Sequence, residues 1–184
     1  MKQDICEKIG IPQGITVTID SMTVVTVKGP KGEIKKIMKD AFVNVHVDGA
    51  SVSIEAKNAS GRQKKMIYTF KAHLNNMFKG VVEPWIYNMK ICAGHFPMTV
   101  AVQGDKLVVK NFLGEKVPRV LKIRKGVKVV IQDKDVTVES VDKELAGNTA
   151  SDIELLLAIR GGRDLRKFQD GIYITNKAGK EILQ

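Results

Sequence analysis

Few side chains in this 184-residue sequence offer chemistry: three histidines, two cysteines and a cationic stretch near the C-terminus. His46 lies among valines, in Val43-Asn44-Val45-His46-Val47, and reads as a packed or edge-strand residue. His73 falls on the outer side of a helical pattern, two residues after Lys71. His95, in Gly94-His95-Phe96-Pro97, sits in a loop between two strand patterns and is the histidine most open to a role. None has a cysteine or carboxylate at ligand spacing, so no metal site is expected. Cys6 and Cys92 are far apart and outside any CxxC arrangement, which reads as buried, reduced thiols. There is no G-x-S-x-G elbow and no P-loop, and Gly161-Gly162 lacks the Lys-Ser/Thr that would complete a phosphate cradle. These motifs nominate no catalytic residue and no cofactor.

The cationic stretch is richer. It runs Arg160-Gly161-Gly162-Arg163-Asp164-Leu165-Arg166-Lys167-Phe168-Gln169-Asp170-Gly171-Ile172-Tyr173 and on to Lys177. Arginine and lysine bind phosphate whatever the base beside it. Gly161, Gly162 and Gly171 would let backbone come close to a nucleic-acid groove. Aromatics make up only 5% of the chain, and no strand pattern carries the paired aromatics that stack splayed bases. Folded A-form RNA, recognised by shape, 2′-hydroxyls and phosphates, therefore fits better than single strands. Phe168 and Tyr173 either pack into a core or stack at the RNA.

Charge along the chain agrees. The formal net charge is +10 and the pI near 9.6, the balance of a phosphate-binding protein. Six basic and no acidic residues lie between Lys57 and Lys79. Eight basic residues face Glu115 alone between Lys106 and Lys128, whereas seven acids oppose Lys134 and Lys143 between Asp133 and Glu154. Such blocks imply one face toward a polyanion and one away from it, since an ordinary soluble surface intersperses the signs.

The elements that must position these groups recur. Val17–Ile19, Val24–Lys28 and Gly32-Glu33 are echoed by Val100–Val102, Leu107–Lys110 and Gly114-Glu115. Val43–Val47 with Val52–Ile54 is echoed by Val127–Ile131 with Val136–Val138. A period of about 80 residues is too long for a solenoid unit and indicates a duplicated α+β domain: several antiparallel strands and one packed helix, twice. In the first copy, strands are expected over 15–19, 22–27, 42–47 and 51–57, the last two joined by the hairpin signal Asp48-Gly49. A helix is expected around Ile67, Phe70, Leu74, Met77 and Phe78, with Gly80 as its C-terminal cap. In the second copy strands are expected over 86–91, 98–102, 106–111, 120–124, 127–131 and 135–141. The second helix is expected over 149–159, capped by Asn148 or Thr149. The boundary divides residues 1–81 from 82–184, with too short a join for a loose linker. After Ile159 the repeat ends, and the basic segment reads as an added tail. No apolar run is long enough to span a membrane and no signal-peptide core precedes Gly10, so a cytosolic protein is expected.

Several segments resemble one family. Ile11-Pro12-Gln13-Gly14 followed by Gly29-Pro30-Lys31-Gly32 after a Thr/Val strand is similar to the start of the universal "L-six" family of large-subunit ribosomal proteins, whose eukaryotic members are called "L-nine". His95-Phe96-Pro97, Asn111–Lys116 with Arg119, and Arg163–Phe168 followed by Asp170–Tyr173 resemble its archaeal and eukaryotic branch, in collinear order over nearly the whole chain. The resemblance implies a structural protein that binds large-subunit ribosomal RNA, chiefly through its second domain. Its place would be near the sarcin–ricin stem-loop, beside neighbouring ribosomal proteins and where translational GTPases dock. It carries RNA contact onto Arg163, Arg166, Lys167, Gly171 and Tyr173, with Lys116 and Arg119 as a second candidate group; Arg160 and Lys177 join the RNA-binding set from the charge of the stretch itself. Ala93-Gly94 departs from the bulkier, more polar pair of relatives, and the segment from Lys167 to Gly171 departs from the Lys/Gly-rich bacterial tail. Two other readings stand beside it: a double-stranded-RNA-binding protein outside the ribosome, and a small cytosolic enzyme with a site between its domains.

Overall fold

Period-two patterning gives fourteen strands and period-3.6 patterning two α-helices among the residues described in this computed structural model, 3–20, 23–159, 161 and 163–182. The chain divides into two compact units between Pro84 and Trp85.

The first unit runs β1 (Gln3–Gly10), β2 (Thr16–Ile19), β3 (Val24–Gly29), β4 (Gly32–Ile37), β5 (Asn44–Asp48), β6 (Ser51–Ala59) and α1 (Gly61–Val82). Its strands form two antiparallel sheets, β2-β3-β4 and β1-β6-β5. The central strands carry the core: Val25 and Val27 of β3 and Val52 and Ile54 of β6 are fully buried. Alternation fixes the register here, because a slip of one residue would turn both valines of β3 to solvent. α1 covers this core with Ile67, Phe70, Leu74, Met77, Phe78 and Val81. At its start the Ser60 N–H donates to Gln63 Oε1 at 3.0 Å, satisfying one of the donors a helix N-terminus leaves open.

Gly80 does not cap this helix. It is buried inside it, and Glu83 forms the cap, its N–H reaching the Lys79 carbonyl at 2.8 Å. The cause is tertiary. The Gly29-Pro30-Lys31-Gly32 turn holds the last turn of α1: Lys31 N–H donates to the Val81 carbonyl at 3.0 Å, and a Cβ on Gly29 would stand 2.7 Å from Val81 Cβ. That approach is open only to glycine. β1 and β4 have no counterpart in the sequence reading. β1 mixes charge into its alternation, and β4 buries only Ile34 among its lysines.

The second unit repeats the plan: β7 (Trp85–Cys92), β8 (Thr99–Gln103), β9 (Lys106–Lys110), β10 (Arg119–Lys122), β11 (Val127–Gln132), β12 (Asp135–Ser140) and α2 (Lys143–Leu156). Sheet β10-β9-β8 matches β4-β3-β2, and β11-β12-β7 matches β5-β6-β1. Leu107 and Val109 take the places of Val25 and Val27 at the buried centre. α2 starts six residues earlier than periodicity indicates. Asp142 is its N-cap, accepting from the Glu144 N–H at 2.9 Å. Gly147, inside the helix, is a packing device, because a Cβ there would stand 3.0 Å from Tyr87 Oη. Ala146 and Ala150 are likewise small and fully buried, so α2 lies close on the sheet.

The segment after α2 is not a free tail. β13 (Gly171–Lys177) pairs with the open edge of β7, and β14 (Lys180–Glu181) pairs with β13, extending this sheet to five strands. Ile172 and Ile174 of β13 join the core.

Candidate nucleic-acid interface

Three sequence segments from different parts of the second unit meet at one end of β13. Asp170, immediately before that strand, is only 2% exposed. Its carboxylate accepts hydrogen bonds from the backbone N–H of Gly94 and, at 3.1 Å, of His95. It also lies 3.0 Å from His95 Nδ1. Burial pushes this carboxyl up, but the His95 and Gly94 backbone bonds and the His95 ring outweigh burial and hold it below the usual range. Asp170 therefore clasps the His95-Phe96-Pro97 loop to the C-terminal segment while carrying its charge.

Ring contacts continue the clasp outward. The His95 ring lies 4.8 Å from that of Phe168, centroid to centroid. The Arg163 guanidinium lies 5.5 Å over the other aromatic partner, Phe168. Between them runs a turn built on Asp164, whose carbonyl accepts from Lys167 N–H at 3.0 Å and Phe168 N–H at 2.9 Å. The Asp164 carboxylate accepts from the Arg166 N–H at 3.0 Å and from its guanidinium at 3.1 Å. These Arg166 contacts, side chain first and backbone second, hold the Asp164 carboxyl below its usual range. The turn leaves Arg163, Arg166 and Lys167 exposed.

The third segment is the loop from Asn111 to Arg119. Asn111 Nδ2 donates to the Pro97 carbonyl at 2.9 Å. Asn111 and Leu113 both have positive φ, 59° and 50°, a conformation that costs a leucine about 1 kcal/mol. Burial of Phe112 and Leu113 offsets that cost. Arg119 is committed inside the protein. Its Nε and Nη2 donate to Glu115 at 2.9 and 2.7 Å, its Nη1 to the Leu156 carbonyl at 2.6 Å, and its guanidinium stacks 4.4 Å from the Phe112 ring. Bonding to Arg119, with charge from Arg119 and Arg163 beside it, keeps Glu115 low despite partial desolvation. Arg119 thus braces the loop to the end of α2, with three of its five N–H donors engaged within the protein.

The sequence-nominated residues accordingly separate. Arg163, Arg166, Lys167 and Lys116 are exposed in the second unit, and the first three share one turn. Lys177 is exposed but lies at the opposite end of β13 from Gly171. Gly171 is buried, and a Cβ there would stand 3.1 Å from the ring of Tyr173, which lies over it half-buried. The close backbone approach at Gly171 is to the protein's own tyrosine. Gly161, with φ of +86°, stands open on the surface, while Arg160 and Gly162 lie outside the described residues. Asp170, within the motif yet read only as part of the basic stretch, is what organises the group. Its partners lie 75 and 76 residues away, beyond the reach of local patterning.

The other chemistry-bearing residues do not assemble. His46 is exposed on β5, an edge strand. His73 Nδ1 lies 3.0 Å from Lys36 Nζ. Cys6 is exposed rather than buried, its thiol donating to Glu55 at 3.3 Å and raised by that bond. Cys92 is half-buried beside His95, but no hydrogen bond joins the two among the described residues. Among those residues no group of three or more His, Cys, Asp or Glu could hold a metal ion. No helix is long and apolar enough to cross a membrane.

Two copies of one α+β plan, the second with an added strand and a cationic turn held by a buried carboxylate, define a duplicated scaffold with one specialised end. The family model for ribosomal protein L6 matches residues 11–83 and 96–177, one stretch in each unit. The chain belongs to the ribosomal protein L6 family, which is not a family of enzymes. It is 42% identical over 174 residues to a large ribosomal subunit protein uL6 of Aeropyrum pernix, covering 94% of each chain. To the protein of the same name from Haloarcula marismortui it is 40% identical, over 94% of this chain and 96% of that one. To that of Nanoarchaeum equitans it is 41% identical, over 96% and 95% respectively.

Proposed function

We propose that this chain is a structural constituent of the large ribosomal subunit that binds large-subunit ribosomal RNA through its second unit. There it stabilises the RNA fold near the sarcin–ricin stem-loop. One observation carries the reading. The segments shared with the archaeal branch converge on the Asp170 clasp, beside exposed Arg163, Arg166 and Lys167. In this reading those three side chains and Lys116 neutralise phosphates, and Arg160 belongs with them by sequence. Lys177 contributes from the other end of β13, while Arg119 and Gly171 act through packing. Tyr173 forms a wall of the site. The role in this reading is structural: the His95–Asp170 pair fastens a loop to the C-terminal segment. Neighbouring ribosomal proteins are partners, translational GTPases work close by, and the protein resides with ribosomes in the cytoplasm.

Sucrose-gradient sedimentation of a tagged copy expressed in an archaeal host tests this. The protein should migrate with large subunits and stay with them through a high-salt wash. Sedimentation with free RNA at the top of the gradient would favour instead a duplex-RNA-binding protein outside the ribosome.

A further inference from the structure

Beside the Asp170 clasp lies a concavity of about 680 Å³, lined by Cys92, Gly94, His95, Lys167, Gln169 and Tyr173 among others. We infer that this pocket receives one unstacked nucleobase of the bound RNA. The inference rests on the RNA-binding reading above and adds to it a way of holding a base, where phosphate contacts alone carry no sequence information.

Both aromatic groups of the pocket are fixed before any ligand arrives. The His95 ring is held by Asp170 on one nitrogen and by the tilted Phe168 ring, 4.8 Å away centroid to centroid. The Tyr173 ring rests on the bare backbone of Gly171, a seat that any Cβ would crowd at 3.1 Å. Neither ring has much rotamer freedom to lose on binding, so stacking there is preorganised. Splayed RNA bases stack on tyrosine and histidine rings in this manner, and their edges are read by adjacent polar groups. Gln169 offers both a donor and an acceptor, and the Tyr173 hydroxyl either role. Among the described residues neither has an internal hydrogen-bond partner. Lys167, exposed and also lining the pocket, supplies a cation for the phosphate of the extruded nucleotide. An apolar recess with a few convergent polar groups is the usual form of a small-ligand site, and a flat A-form surface would need no such recess.

The test compares two synthetic RNA hairpins on the full-length protein, one with a single bulged 2-aminopurine and one fully paired but otherwise identical. The bulged hairpin should bind about tenfold more tightly, within the range for stacking one base on an aromatic side chain, with a change in 2-aminopurine emission on binding. Tyr173→Leu should bring the ratio of the two affinities close to one. Gln169→Ala, at an exposed position that leaves the core intact, should lower that ratio about threefold and serves if the leucine variant misfolds. Equal affinity of the native protein for both hairpins overturns the pocket. If paired-hairpin binding then still weakens on removing Arg163, Arg166 and Lys167, the RNA-binding reading survives alone. Binding to neither hairpin at low salt removes both.

Discussion

Replacing Asp170 by asparagine removes the charge from the clasp while leaving its shape. The wild-type carboxylate accepts from two backbone N–H groups and faces the His95 imidazole. Hydrogen bonds to a charged group contribute roughly 1.5–3 kcal/mol each when fully buried. Here the acceptor is buried, but Gly94 and the His95 side chain are exposed enough for water to replace the lost partner in the variant, so only part of that sum is at stake. Asp170→Asn should therefore cost about 1.5 kcal/mol and Asp170→Ala about 3 kcal/mol. The sole tryptophan, Trp85, is the first residue of β7 in the second unit, so its fluorescence reports that unit's unfolding. With a urea m-value of roughly 1–1.5 kcal/mol/M for a unit of this size, the asparagine variant should lose about 1 M in midpoint at pH 7. The pH dependence has a definite sign. Because the folded carboxyl lies below its usual value near 3.9, its contribution is complete well above pH 4 and is lost as pH falls through the folded value. The gap between wild type and Asp170→Asn should hold from pH 7 to pH 5 and narrow as pH falls below about 4. An unchanged midpoint at pH 7, or a gap that widens in acid, would refute the clasp.

Changing Arg163, Arg166 and Lys167 together to alanine should weaken RNA binding and lower the slope of log K against log salt by about two to three units, with the Trp85 unfolding midpoint within about 0.5 kcal/mol of wild type. Arg119→Ala should do the reverse, costing about 2 kcal/mol of stability in the same urea assay while the salt slope stays put. Arg119→Lys should not restore it, because one ammonium cannot span Glu115 and the Leu156 carbonyl while stacking on Phe112. Gly29→Ala should destabilise the first unit by about 3 kcal/mol, seen as earlier loss of helical circular dichroism. Val81→Ala should rescue it only in part, since the new methyl would also meet the Val81 carbonyl at 2.9 Å.

The duplication was legible because it rests on valine alternation, and alternation is what a two-layer core demands of its central strands. Val25 and Val27 announce β3, and Leu107 and Val109 announce β9, each buried as its pattern implies. Edge elements were not legible, because half their surface is solvent and their side chains follow no single rule: β1 and β4 are the examples. Gly80 looks like helix punctuation, yet it lies buried inside α1, whose last turn is held by the Gly29-Pro30-Lys31-Gly32 turn. The candidate site shows the same boundary between local and long-range information. The cations of the Arg160–Lys177 stretch could be read one by one. That its second half is a core-forming strand beside β7 could not, nor that Asp170 binds a loop some 75 residues away. Arg119 makes the point in reverse: by type it is a phosphate ligand, and only the positions of Glu115, Leu156 and Phe112 turn it into a brace.

The central claim, addressed binding to large-subunit RNA by the second unit, is tested most directly by a salt titration. The full-length protein is bound to the large-subunit RNA fragment carrying the sarcin–ricin stem, with unrelated duplex RNA as competitor. Binding that survives excess competitor at physiological salt is the expected result. Displacement by any duplex in proportion to its concentration would contradict it.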